Sequence, residues 1–265
     1  ALFSTYCVYQ FGEWGIPIWI ALFLGMGVGF AIGALAEVTL VRPISKKSPF
    51  AVFVVTLGLF RLLNWLDGAI WGNQQLPNSG VGSKQKTFPD LFPAEPDDQF
   101  KFLGANIRWE RVGVLVLVLV IGLLLYLLFN HTKFGLAMRA VASNSESAKL
   151  TGIRTHVVLM VSWGLAAAIG AVGGVVMGGL NNTVNLGLMF GIFIYGSAAA
   201  TLGGFDSPGG AVVGGMAIGL IENLTSGYFS FIGQEMKLGV ALLVIVGVLL
   251  FKPSGLFGTA KVERV

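Results

Sequence analysis

Charged side chains are scarce in this sequence. Asp, Glu, Lys and Arg make up only 11% of the 265 residues, whereas hydrophobic residues make up 55%. A soluble domain carries about 25% charged residues, because its surface must be solvated by water. The shortage therefore excludes an ordinary water-soluble domain. The mean hydropathy of +0.79 indicates that most of the surface contacts lipid.

Cysteine and histidine are nearly absent as well. Cys7 is the single cysteine, and His131 and His156 share no motif with a carboxylate. The residues therefore predict no internal disulfide, no metal ion and no catalytic nucleophile paired with a base. The net charge of +4 does not indicate nucleic-acid binding, because Lys and Arg lie at the ends of apolar segments and not on one solvated face.

Long apolar segments dominate the rest of the chain. A membrane-spanning helix needs about 20 apolar residues. Candidate spans are residues 16–36, 50–71, 112–129, 157–180, 186–202, 211–221 and 238–251. The sixth is short and interrupted by glycine, so it is either a half-span or buried against neighbours. Residues 1–9 read as the end of an apolar segment already under way, so we expect one or two further spans upstream. We predict an all-α, polytopic transmembrane bundle with about seven or eight spans in this chain.

The basic residues predict which side of the membrane each loop faces. Successive spans cross the membrane in opposite directions, so the loops fall into two sets, one on each side. One set holds ten basic residues and the other holds six. The set with ten contains residues 37–49, 130–156, 203–210 and the C terminus, and loops rich in Lys and Arg stay cytoplasmic. We therefore expect a single permease domain over residues 1–265, with a cytoplasmic loop at 130–156 and an extracytoplasmic loop at 72–111.

Glycines recur at four-residue spacing within the apolar segments. Examples are the series Gly25/Gly29/Gly33, Gly170/Gly174/Gly178 and Gly210/Gly214. Small residues one helical turn apart let two membrane helices approach closely. The pattern indicates tight packing, with helix sliding during transport as the alternative interpretation.

The polar loop 130–156 is longer than a connector requires. Its sequence predicts two short helices hinged at Asn144-Ser145, and either residue can cap the second helix. Glu146 then lies in the first turn of that helix, where the helix dipole favours an acid. A short helix with small residues on one face is suited to docking into a groove on another protein. The alternative is a connector without further function.

The loop 130–156 resembles a loop of a known protein family. Glu146, Ala148 and Gly152 match the Glu-Ala-Ala, three residues, Gly pattern of the coupling loop in ATP-binding-cassette importer permeases, with Ser147 in place of the central alanine. The chain more specifically resembles the branched-chain amino-acid permease family. Segments that carry this closer resemblance are 40–43, 135–140, 202–204, 208–215, 252–258 and 262–265.

The resemblance implies a permease subunit in the bacterial inner membrane. Such permeases work in pairs, either as a homodimer or with a paralogue. They dock cytoplasmic ATPase subunits and receive substrate from an extracytoplasmic binding protein. The sequence has no phosphate-binding Gly-x-x-x-x-Gly-Lys-Ser/Thr loop, so we expect no cofactor here, with ATP and magnesium bound to the partner ATPases. The residues implied in coupling to the ATPases are Gly135, Arg139, Asn144, Glu146, Ala148 and Gly152.

The resemblance implies more than one class of substrate. The family imports branched-chain and other apolar amino acids, and close relatives carry urea or short amides. An ion-coupled secondary transporter is the alternative of another class, although Arg61 is the only plausible mid-span ionisable group for that role. Candidate residues of the substrate pathway are polar groups in apolar context, with hydrogen bonding between helices as the competing role. They are Thr56, Asn64, Asn181, Asn182, Tyr195, Thr201, Glu222 and Asn223.

Overall fold

Helices make up nearly all of the regular structure. The computed structural model describes residues 1–45, 49–71, 91–92, 99–102, 105–181, 184–228, 237–252 and 254–258. The predicted loop 72–111 lies largely outside these residues. The helices are α1 (Leu2–Glu13), α2 (Ile18–Ala36), a π-helical turn (Glu37–Val41), α3 (Arg42–Ser45), α4 (Pro49–Trp71), α5 (Trp109–His131), α6 (Lys133–Ser143), α7 (Ser145–Leu150), α8 (Thr155–Asn181), α9 (Leu188–Gly203), α10 (Pro208–Tyr228) and α11 (Lys237–Phe251).

Four helical stretches in the described part are long and apolar enough to cross a membrane. They are Ile18–Ser45, Phe50–Trp71, Trp109–His131 and Thr155–Asn181. The pair α9 and α10 is bent by 117° and counts as a fifth span if it is taken as one broken span. The prediction of a helical membrane protein is therefore confirmed. The predicted count of seven or eight spans is not confirmed, because the described residues contain four or five.

Two helix boundaries differ from the sequence prediction. The first predicted span, 16–36, does not end at Ala36, because the helix continues through the π-helical turn to Ser45. The segment 211–221 is extended to Tyr228 within α10. Hydropathy falls at the polar residues after position 221, but Asn223 and Thr225 donate hydrogen bonds to carbonyls four residues earlier, at 2.7 and 2.6 Å. Polar groups satisfied within the helix let it continue past the apolar run.

A short hairpin precedes α5. Strands β1 (Gln99–Phe102) and β2 (Ala105–Arg108) pair antiparallel, with Gln99 opposite Arg108 and Phe102 opposite Ala105. This hairpin is an exception to the all-α prediction. The Phe100 ring lies against Trp109 at the start of α5, with 4.9 Å between ring centroids.

Glycines bring the helices of the first compact unit into backbone contact. This unit comprises residues 1–117 and 129–189. A Cβ added to Gly29 would lie 3.0 Å from the Ala167 carbonyl oxygen, and one added to Gly33 would lie 2.5 Å from the Trp163 carbonyl oxygen. Residue numbers rise along α2 while those of the contacted residues fall along α8, so the two helices are antiparallel. The packing interpretation of the series Gly25/Gly29/Gly33 is confirmed.

Helix α1 packs beside the same pair. A Cβ on Gly25 would meet the Val8 side chain, and one on Gly174 of α8 would meet Thr5. Tyr6 and Val8 of α1 are fully buried. The glycines of α2 and α8 therefore accommodate α1 as well as each other.

The second compact unit contains the α9–α10 hairpin and comprises residues 118–128 and 190–265. A Cβ on Gly214 would meet the Ala199 carbonyl oxygen, and one on Gly203 would meet Gly210. The C-terminal segment is fixed to the end of α9, because the Leu256 and Phe257 amides donate to the carbonyls of Leu202 and Gly203 at 2.8 and 3.0 Å. The segments 202–204, 208–215 and 252–258, which carry part of the family resemblance, thus meet in this unit.

The α2–α8 contact generates a first prediction. Gly33→Ala places a methyl group against the Trp163 backbone and should destabilise the protein by about 1–3 kcal/mol through overpacking. Gly27→Ala is the matched control, because a Cβ there has no neighbour within 4 Å. The control should be neutral or stabilising by up to about 1 kcal/mol, since alanine favours helix more than glycine does. Thermal unfolding in detergent measures both changes, and equal melting temperatures would refute the close contact.

Candidate coupling site

The loop 130–156 folds as two capped helices. Thr132 caps α6, since its hydroxyl oxygen accepts a hydrogen bond from the Gly135 amide at 2.9 Å. The Asn144 side-chain oxygen caps α7 by accepting from the amides of Glu146 and Ser147, both at 3.0 Å. These bonds satisfy amides that a helix start leaves without partners. The predicted hinge at Asn144-Ser145 is confirmed.

Gly152 ends α7 in the left-handed conformation. Its φ is +84°, and a Cβ at this position would have no neighbour within 4 Å of this chain. The Ile153 amide donates to the Ala148 carbonyl oxygen at 3.1 Å, and the Gly152 amide donates to Lys149 at 3.0 Å. This arrangement is a glycine helix end, in which the glycine tolerates a φ that other residues resist. Within this chain, Gly152 is required for backbone conformation and not for space.

A small apolar core joins both helices to the start of α8. Val141 of α6, Ala148 of α7 and Val158 of α8 are buried together. Partly buried neighbours of this core are Phe134, Ala137, Met138, Ala140 and Ile153. Ala148 is only 4% exposed, so the small side chain faces this core. Its position differs from the expectation of a small-residue face turned toward a partner.

The opposite face of the helix pair is exposed. Glu146 and Arg139 are exposed, as is Leu150 with 90% of its surface accessible. Leu136 of α6 is 61% exposed. The exposed face therefore combines charged groups with two large apolar side chains, which is the chemistry of a protein-binding surface.

An ion pair lies beside the start of α8. The Arg42 guanidinium donates to both carboxylate oxygens of Glu37, at 3.2 and 2.6 Å, and to the backbone oxygen of His156 at 3.3 Å. Glu37 is only 2% exposed, although the sequence placed it in a loop. The sequence signal was a pair of opposite charges five residues apart at the end of a span.

Most candidate pathway residues bond to their own helix. Thr56, Asn64, Asn181, Thr201 and Asn223 each donate to a backbone oxygen three or four residues earlier, at distances of 2.7–3.2 Å. For Thr56, Asn64, Asn181 and Thr201, the hydrogen bonds in the described structure lie within one helix and not between helices. Each of these side chains has a hydrogen bond within its own helix; Asn181 and Asn223 are exposed, whereas Thr56 is half-buried. Asn182 lies outside the described residues.

Tyr195 and Glu222 are two of these candidates that the structure brings together. The Tyr195 side chain of α9 lies beside the Glu222 side chain of α10, close enough for the two polar groups to interact, and both residues are half-buried. They belong to the second unit. The pair joins a phenol and an acid in an apolar environment, where an unpaired acid would be strongly disfavoured.

Asp67 is a buried acid that the pathway predictions did not include. It is fully buried, and neither carboxylate oxygen has a hydrogen-bond partner among the described residues. One turn later, the Trp71 ring stacks on Tyr6 with 5.2 Å between centroids, and its Nε1 donates to Gln10 at 3.1 Å. The face of α4 that carries Asp67 and Trp71 therefore packs against α1. An acid in the latter half of an apolar span is expected to face the protein interior or a wet cavity and not lipid, and the burial of Asp67 agrees with that expectation.

Comparison with known proteins decides the family. The family model described as branched-chain amino acid transport system, permease component, matches residues 1–249. The chain belongs to this family. The family consists of transport permease subunits and not enzymes, and the permease is a multi-pass membrane protein.

Curated relatives agree with this assignment. The permease is 28% identical over 251 residues to the high-affinity branched-chain amino acid transport system permease protein LivH of Salmonella typhimurium, covering 92% of this chain and 74% of the relative. It is 30% identical over 247 residues to a probable LivH of Methanocaldococcus jannaschii, covering 90% and 75%. It is 30% identical over 184 residues to BraD of Pseudomonas aeruginosa, covering 69% and 59%. No solved structure gives a significant match.

The end of α7 generates a second prediction. Gly152→Val should disfavour the left-handed conformation by about 1–2 kcal/mol or more, whereas Gly152→Asn should be better tolerated, because asparagine visits this region more readily. Hydrogen exchange of the amides in residues 145–153 measures the effect. We expect exchange roughly tenfold faster in the Val variant than in the Asn variant, as about 1.4 kcal/mol corresponds to a tenfold change. Equal exchange in both variants would show that φ does not constrain this position.

Proposed function

We propose that this permease is the membrane-spanning subunit of an ATP-binding-cassette importer that carries branched-chain amino acids. The match of residues 1–249 to the branched-chain permease family carries the proposal. The named functions of the LivH and BraD relatives support the same substrate class. The ion pair between the buried Glu37 and the half-buried Arg42 and the capped α6–α7 helices give the permease features that a connector loop does not need.

The proposed importer has further subunits. ATP binding and hydrolysis take place on partner ATPases, since this sequence has no phosphate-binding loop. An extracytoplasmic binding protein delivers substrate, and a second permease, identical or paralogous, completes the pathway. In this proposal the chain lies in the inner membrane and has about seven or eight spans.

The loop 130–156 is the proposed coupling element on the cytoplasmic side. Its basic residues favour that side, and the loop 72–111 is then extracytoplasmic. The exposed face with Arg139, Glu146 and Leu150 docks an ATPase subunit. The core of Val141, Ala148 and Val158 makes the docked helices continuous with α8, so a displacement of the loop moves α8. In this proposal Asn144 and Gly152 fix both ends of α7, and Gly135 receives the cap of α6.

The proposed substrate pathway includes the Tyr195–Glu222 pair. A carboxylate held by a phenol in an apolar surrounding is suited to attract the ammonium group of an amino acid. The other candidates, Thr56, Asn64, Asn181, Asn182 and Asn223, complete the proposed set. Urea or short amides, which lack that charge, are the alternative substrates.

Reconstitution tests the proposal. The permease, its candidate partner permease and ATPases are placed in vesicles with the binding protein, and uptake of radiolabelled leucine is measured. We expect uptake only when the ATPases and ATP are present, and no loss of uptake when a protonophore and a sodium ionophore abolish ion gradients. Uptake of labelled urea and of labelled acetamide is measured under the same conditions for comparison with leucine.

Two results would contradict the proposal in different ways. Leucine uptake driven by an ion gradient without ATP would indicate a secondary transporter. ATP-driven uptake of urea or acetamide in preference to leucine would retain the importer and replace the substrate class.

A further inference from the structure

The Glu37–Arg42 pair is made by an unusual turn of the backbone. Residues five apart lie roughly 140° apart around an α-helix with 3.6 residues per turn, so their side chains do not meet. Here Glu37–Val41 is a π-helical turn, and the Arg42 amide donates to the Glu37 carbonyl oxygen. This i to i+5 bond brings the two side chains onto one side of the helix. Such turns are rare and often occur at functional sites.

The ion pair also reaches another helix. Arg42 donates to the backbone oxygen of His156, in the first turn of α8 and 114 residues away in sequence. It therefore uses its planar guanidinium for three bonds, two to Glu37 and one to α8. Thr155, the first residue of α8 and the neighbour of His156 in sequence, is buried. The bond thus joins the end of the α2 span to the start of α8.

The start of α8 is also where the α6–α7 core attaches. Val158 belongs to that core and lies two residues after His156. Further along, Gly29 and Gly33 of α2 lie against backbone carbonyls of α8. The helices α2 and α8 are therefore connected at their middle by close packing and at one end by Arg42.

We propose that the Glu37–Arg42 ion pair is a positioning clamp that makes α2 move together with α8 when the coupling loop moves. This inference rests on the proposed function, because it assigns the pair a part in ATP-driven transport. Without the clamp, loop displacement would move the start of α8 while the end of α2 remained behind. ATP hydrolysis would then continue with little transport.

Stability alone is an alternative reason for the pair. The Glu37 side chain is 2% exposed and the Arg42 side chain is 36% exposed. Removing Arg42 alone would leave the Glu37 carboxylate buried without its partner, whereas replacing both residues with leucine removes that buried charge as well. The double variant Glu37→Leu/Arg42→Leu therefore separates the two roles, since it should fold but lacks the bond to His156. Arg42→Lys is the second variant, because lysine keeps the charge but loses the planar three-bond geometry.

The experiment measures leucine taken up per ATP hydrolysed in reconstituted vesicles. Arg111→Lys is the matched control, an exposed arginine at the start of α5 that makes the same chemical change elsewhere. For both Arg42→Lys and the double leucine variant, we expect uptake per ATP to fall about tenfold, as loss of a charge-assisted hydrogen bond implies. ATP hydrolysis, the melting temperature of the double variant and the yield of assembled complex should stay near those of the wild type.

The outcomes separate this inference from the proposed function. Absence of ATP-driven uptake by the wild type would overturn the proposed function and the clamp with it. Normal uptake per ATP in both variants, with the wild type active, would overturn the clamp alone. Failure of both variants to assemble with the ATPases, or an equal fall in the Arg111→Lys control, would likewise overturn it.

Discussion

The backbone contact between α2 and α8 is the constraint on which the first unit depends. Lipid provides no hydrophobic drive between helices, so their association relies on van der Waals packing at close approach. Gly29 and Gly33 allow that approach, because even a methyl group at Gly33 would lie 2.5 Å from a backbone oxygen of α8. The same face of α2 leaves room for α1 at Gly25, and the fully buried side chains of α1 fill this space.

The contact makes α2 and α8 a rigid pair, and the loop 130–156 is joined to this pair. The loop is joined to α8 by a shared core around Val141 and Ala148, and α8 is joined to α2 along its length. In the proposed function, a push on the exposed face of α7 is transmitted through packed side chains and through a bond from Arg42. Close-packed interiors transmit such displacements because they have little free volume.

The sequence predicted features that depend on local chemistry. The length of the apolar run predicted the span 112–129, which is found as α5. The capping preference of asparagine predicted the hinge at Asn144, which is found at the start of α7. Tertiary features were not predictable in this way. Ala148 was expected on an outward face but lies in a core that forms only when α6 and α8 pack around it. Likewise, Glu37 and Arg42 pair only because of a π-helical turn, which hydropathy does not reveal.

The most direct test of the proposed coupling role is a cross-link between the permease and its ATPase. In a Cys7→Ser background, a single cysteine replaces either Leu150 on the exposed face of α7 or Trp14 after α1, which is 68% exposed. A short bifunctional thiol reagent is applied to the assembled complex, in which each ATPase carries one cysteine in its docking groove. The account predicts a cross-linked permease–ATPase product at position 150 and none at position 14. A product at position 14 with none at position 150 would contradict the account.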